Sequence, residues 1–106
     1  KSYDITMPEI TTDTSPVVSD ASKYNVNFKV NGKIQDLFVF VNNKKVFYYR
    51  YGMNGNKTEF SVPVSFEKRT NRINIVAKGS DSEVNSVSTK YVIFPSGIKN
   101  EEDDDN

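Results

Sequence analysis

The sequence predicts an all-β fold, an immunoglobulin-like antiparallel β-sandwich of about seven strands. Three observations carry that prediction. Several segments alternate apolar and polar residues with a period of two, as strands with one buried face do. Turn-forming clusters separate them at intervals of about 8–12 residues. No helical pattern persists for more than a turn.

Residues 1–22 are rich in Thr, Ser, Asp and Pro and read as a lead-in. Within it, Met7–Thr11 (MPEIT) fits a short edge strand, where proline is tolerated. From Tyr24 to Val30 every other residue is apolar (Tyr24, Val26, Phe28, Val30), and Asn31-Gly32 then marks a tight turn. Leu37–Val41 is apolar without alternation, which suits a strand covered on both sides or a central strand under a loop. Asn42-Asn43-Lys44-Lys45 reads as a four-residue turn, and Val46–Tyr51 as the returning strand. Residues 52–57, with two glycines and two asparagines, read as a loop. Phe60, Val62, Val64 and Phe66 alternate with Ser61, Pro63 and Ser65. Pro63 cannot donate to a ladder, so its nitrogen must face solvent or an irregularity. After a turn at Glu67–Asn71, Ile73, Ile75 and Ala77 form one side of the next strand. Residues 79–83 form a loop. Val87, Thr89, Tyr91 and Ile93 make the last strand, which Pro95-Ser96-Gly97 ends. The expected core is Val26, Phe28, Val30, Leu37, Val39, Val41, Phe60, Val62, Val64, Ile73, Ile75, Ala77 and Tyr91. The sandwich is thus expected over 23–97, with 98–106 as a disordered acidic tail.

With 106 residues the chain has room for one compact domain. It starts at Lys1 and ends in an acid run, as expected of a domain cut from a longer protein. No stretch reaches the roughly 18–20 apolar residues of a membrane span. Cysteine and histidine are absent, which removes disulfides, thiolate chemistry, the commonest general base and the commonest zinc ligand. Antibody-type domains, with their Cys–Trp–Cys core, are excluded too. The zero net charge conceals a division. Residues 1–100 hold fourteen basic and nine acidic groups, a formal +5, and Glu101, Glu102, Asp103, Asp104 and Asp105 supply the balance.

Three segments share a pattern: DLFVFVNNKKVFYY (Asp36–Tyr49), TNRINIVAKGSDSEV (Thr70–Val84) and STKYVIF (Ser88–Phe94). Their order and spacing resemble the Ig-like module at the C-terminus of some S41-type C-terminal-processing peptidases, and related bacterial Ig-like domains. The resemblance covers about residues 24–96. It implies a sandwich subtype and an extracytoplasmic accessory module, with any catalytic serine and lysine in a separate domain. Acidic tails are also frequent on nuclear and cytosolic proteins, so the compartment stays open.

The candidate partner-binding residues are Phe47, Tyr49, Arg50 and Tyr51. Alternation sets Val46, Tyr48 and Arg50 against Phe47, Tyr49 and Tyr51. The latter three are expected partly outward, near Lys44, Lys45 and Arg50. Tyrosines there offer large contact area at low entropic cost. The plainer reading is that aromatics simply suit a pleated surface. Aromatic and basic residues together also bind single-stranded nucleic acid. Here the cations are dispersed along the chain and no nucleic-acid motif is present, which argues against that partner. Ser80–Glu83 with Asp20 and Asp36 offers oxygens for calcium, but without EF-hand spacing it reads as a polar turn. Asn56-Lys57-Thr58 matches the N-glycosylation rule, as an Asn-rich chain does by chance. No histidine is present to serve as a base for a serine, and no G-x-S-x-G frame occurs. No catalytic residue, metal or cofactor is expected. The expected function is a non-catalytic accessory module that positions a neighbouring domain or binds a protein partner. The alternatives are a docking module of an intracellular or nuclear complex that uses the acidic tail, and a carbohydrate-binding module.

Overall fold

A computed structural model describes residues 7–52, 57–80 and 85–100. Among these residues eight strands form: β1 (Glu9–Thr11), β2 (Val17–Val18), β3 (Lys23–Asn31), β4 (Ile34–Val41), β5 (Lys44–Arg50), β6 (Glu59–Ser65), β7 (Thr70–Gly79) and β8 (Asn85–Ile93). They build a three-stranded sheet, β1-β3-β6, and a five-stranded sheet, β2-β8-β7-β4-β5. All pairings are antiparallel except β2 with β8. This is the expected sandwich, with one further strand inside the lead-in.

Alternation decides the burial. In β3 the buried residues are Val26, Phe28 and Val30, and in β6 they are Phe60, Val62 and Val64. From the other sheet, Leu37, Val39, Val41, Ile73, Ile75, Ala77 and Val92 face them. Phe60 ties the layers together. Its ring stacks on Phe28 of its own sheet at 5.2 Å. It also meets Tyr49 and Phe47 of β5 edge-on, at 5.2 and 5.9 Å.

Pro63 is accommodated by the hydrogen-bond phase of the β3–β6 ladder. Phe66 N–H donates to Ser22 O at 2.7 Å, and Val30 N–H to Thr58 O at 2.9 Å. Hydrogen-bonded pairs alternate with non-bonded ones, so the Asn25–Pro63 pair is of the second kind. The proline nitrogen therefore points to the free side of β6.

Four expectations are corrected. The turn after β4 is shorter than expected: only Asn42 and Asn43 turn, both with positive φ (51° and 71°), and Lys44-Lys45 already belong to β5. A two-residue type I′ hairpin demands positive φ at both central residues, which asparagine tolerates. Asn42 is also bonded into the fold. Its side-chain amide donates to Asn71 Oδ1 at 2.9 Å, and its own Oδ1 accepts from Arg72 N–H at 2.9 Å. Second, Leu37–Val41 does alternate in burial: Phe38 and Phe40 are half-buried on the outer face. Third, Tyr91 is 46% exposed and Val92 takes its core place. The register sets Tyr91 opposite Arg72 and Lys90 opposite Ile73, so the even-numbered residues of β8 turn inward. Lys90 is buried, and its Nζ donates to the carbonyls of Asp13 and Ser15 at 2.9 and 2.8 Å. Fourth, residues 98–100, assigned to the tail, are fastened to the sandwich. Ile98 bridges Lys68, and Asn100 bonds both backbone groups of Thr70. Residues 101–106 lie outside the described residues.

Three outcomes follow from this packing. Phe60→Ala should cost about 3–5 kcal/mol, as loss of a buried aromatic does. Urea melts should show a lower midpoint at unchanged slope. Asn42→Ala strands the buried Asn71 Oδ1, a loss of about 1–3 kcal/mol. Asn42→Gly should recover about 1 kcal/mol of it by removing the left-handed strain alone. Tyr51 packs against the core with its hydroxyl on Lys57 O. Burial, and then Tyr49, push its phenol up to about 12 from 10. A raised folded-state value means stability that is intact below pH 10 and declines between about 10 and 12, as the unfolded phenol ionises first. Equilibrium melts across that window should slope less steeply in Tyr51→Phe.

Candidate functional site

The outer face of the five-stranded sheet carries the candidate site, and strand register builds it. Phe38 lies opposite Tyr48 of β5 and opposite Val76 of β7, and Val76 lies opposite Val87 of β8. The result is an apolar row, Tyr48–Phe38–Val76–Val87, crossing four strands. Its ends are the most open: Val87 is 61% exposed and Tyr48 44%. The Phe38 ring lies 5.1 Å from that of Tyr48 and 5.9 Å from that of Phe40, both at modest tilts. Lys45 sits over this pair, its Nζ 5.8 Å from the Phe38 ring centre and 5.6 Å from that of Tyr48.

Charge flanks the row. Asp36 lies between Arg50 and Lys78 on one side. Its carboxylate accepts a 2.6 Å hydrogen bond from Tyr48 Oη–H. That bond holds the Tyr48 phenol above its ordinary value, and Arg50 opposes the shift. On the other side Phe40 stands between Lys45 and Asn74, and Asn74 Oδ1 accepts from Thr89 Oγ1 at 2.7 Å.

The expected site residues divide between the two faces. Arg50 stands on the outer face beside this row. Phe47 and Tyr49 turn inward, opposite Val39 and Leu37, and Tyr51 packs with them against the core. The alternation of β5 was legible and its direction was not. Either set is apolar enough to bury, and the ring of Phe60 draws in the larger one. Sequence reasoning missed Phe38, Val76 and Val87 because cross-strand register, not chain spacing, unites them. Val46, at the register shift between β4 and β5, faces a groove toward β6.

The site presents apolar, hydroxyl and charged side chains. Among the described residues no group of three or more acidic side chains could hold a metal ion. Of the candidate calcium ligands, Asp36 is engaged by Tyr48, and residues 81–83 lie outside the described residues. Asn56 of the glycosylation match lies outside them as well. No described helix is long and apolar enough to cross a membrane.

No protein family matches the chain by sequence, and no curated protein does. In three dimensions it is similar to the fibronectin(III)-like modules of Clostridium thermocellum CbhA, with a TM-score of 0.55 at 14% identity. The match covers 88% of this chain and 98% of that one. The likeness supports an Ig-like β-sandwich fold.

Proposed function

We propose that this chain is a non-catalytic accessory module of a larger protein. It positions a neighbouring domain, or binds a protein partner, through the outer face of its five-stranded sheet. The observation that carries this reading is the apolar row Tyr48–Phe38–Val76–Val87, which ends in exposed side chains on a rigid sheet. Contiguous apolar surface rimmed by polar groups is typical of interaction sites. The likeness to fibronectin(III)-like modules fits an accessory role.

The rim describes the partner. Lys45, Arg50 and Lys78 border the row, and the carboxylate of Asp36 is already bonded to Tyr48. An apolar surface edged with carboxylates complements this face. A second copy of the same face would meet like charges. Sugar stacking is the weaker reading, because Lys45 lies over the rings that a pyranose would need.

The absence of native cysteine makes the test direct. A single Val87→Cys should react with a thiol reagent at least tenfold more slowly in the intact parent protein than in the isolated chain. Ser61→Cys, on the opposite sheet, should react equally in both. Equal reactivity of Val87→Cys in both contexts would refute docking at this face.

A further inference from the structure

We infer that two copies of this chain pair edge to edge, β8 against β8, antiparallel about a twofold axis at Val87. The contact joins backbone edges and does not depend on a partner docking at the outer-face row.

The backbone of β8 carries the inference. Phe94 N–H donates to Arg69 O at 2.7 Å, so the even-numbered residues of β8 direct their peptide groups at β7. Bonded and non-bonded pairs alternate along an antiparallel ladder. Asn85, Val87 and Thr89 therefore direct theirs away from β7. Further along, Ile93 O also points away, and there Ser19 N–H donates to it at 2.8 Å. β2 pairs with β8 at Val92 and Ile93 alone. Among the described residues, then, no strand pairs with that side of 85–89.

The other edges are guarded and this one is not. β6 presents Pro63, whose nitrogen faces its free side. β5 presents Lys44, Lys45 and a register shift. β1 follows Pro8 and begins with Glu9, and β2 follows Pro16 and is two residues long. Charge, proline, bulges and shortness are the usual guards against strand addition. Asn85-Ser86-Val87-Ser88-Thr89 has no charged residue, no proline and a regular ladder with β7. The lysine of this strand, Lys90, is turned inward and committed to two carbonyls.

A second copy fits the segment because the segment is self-complementary. A twofold axis at Val87 sets Val87 against Val87, and Asn85 against Thr89 twice. These are three bonded pairs, each exchanging two hydrogen bonds, and they stop short of the residues that β2 covers. On the outer face the row Tyr48–Phe38–Val76–Val87 runs through the axis into its own copy. The 61% exposed Val87 thereby gains an apolar neighbour. Thr89 Oγ1 donates to Asn74 Oδ1 and can still accept, which suits an Asn85 amide across the junction. Lys45 and Arg50 stand on β5, at the far side of the sheet. An edge-on approach thus avoids the like charges that a face-on one would meet. The contact is smaller than the standard interface of roughly 1,600 Å², so the dimer forms at high concentration and dissociates on dilution.

Sedimentation equilibrium should show monomer at about 10 µM and a growing dimer fraction toward about 1 mM, as a weak contact gives. Amide exchange reads the phase. Val87 and Thr89 N–H should slow at least about tenfold at the higher concentration, while Ser88 N–H, bonded to β7, is protected at both. Val87→Lys and Val87→Glu each set like charges directly opposite at the axis, so each alone should stay monomeric. An equimolar mixture of the two should restore the dimer. Thr89→Pro removes a donor that β7 does not use and should also stay monomeric. If a variant loses its β-type circular dichroism, the exchange pattern of the wild-type amides decides. A wild-type chain still monomeric at about 1 mM would overturn the inference. So would dimers of Val87→Lys or Val87→Glu alone, or a mixture that stays monomeric, since residue 87 would then not face itself.

Discussion

The aromatic contact across the sheets, Phe60 of β6 against Phe47 and Tyr49 of β5, decides how the rest of the molecule presents itself. Among the described residues β5 pairs with one neighbour, β4, and its inner face would otherwise open to water. Rings reaching from β5 to Phe60 close that side of the core. Once they point inward, the pleat forces Tyr48 and Arg50 outward. The exposed row is a consequence of this choice. So is the groove, because aromatic packing seals the upper part of the β5–β6 gap and the smaller Val46 and Pro63 flank the remainder.

Polar groups inside the sandwich staple segments that hydrophobic burial alone would leave loose. Asn71 is fully buried. It accepts from Asn42 and donates to Lys68 O, so one side chain joins the β4–β5 turn to the approach of β7. Lys90 carries its charge through the core to two carbonyls of the 13–15 segment, which seats the short parallel strand β2. A buried amine is costly unless such partners are in place. Placing these polar residues in the interior commits the chain to one register, since a slip of one residue would strand them.

These constraints yield a rigid body with two differently furnished surfaces. The outer sheet face offers apolar area with a basic rim. The edge groove offers the cations Lys44 and Lys68 beside Val41, Val46 and Pro63. The likeness to fibronectin(III)-like modules at 14% identity extends to architecture.

Period and punctuation could be read from residue order. The alternation in β3 and β6 named their buried residues, Asn42-Asn43 announced a turn, and Pro63 announced an unpaired amide site. Local chemistry suffices there, because one face is plainly apolar and glycine, proline and asparagine act within a few residues. Phase could not be read where both faces had claims. In β5 each side carries aromatics. In β8 the more apolar set, Val87 and Tyr91 among it, lies outside while Lys90 and Val92 lie inside. Only the pairing of β8 with β7, and of the β5 rings with Phe60, decided those faces. The same holds for the Tyr48–Phe38–Val76–Val87 row: its members are distant along the chain and meet because hydrogen-bonded ladders bring them into line.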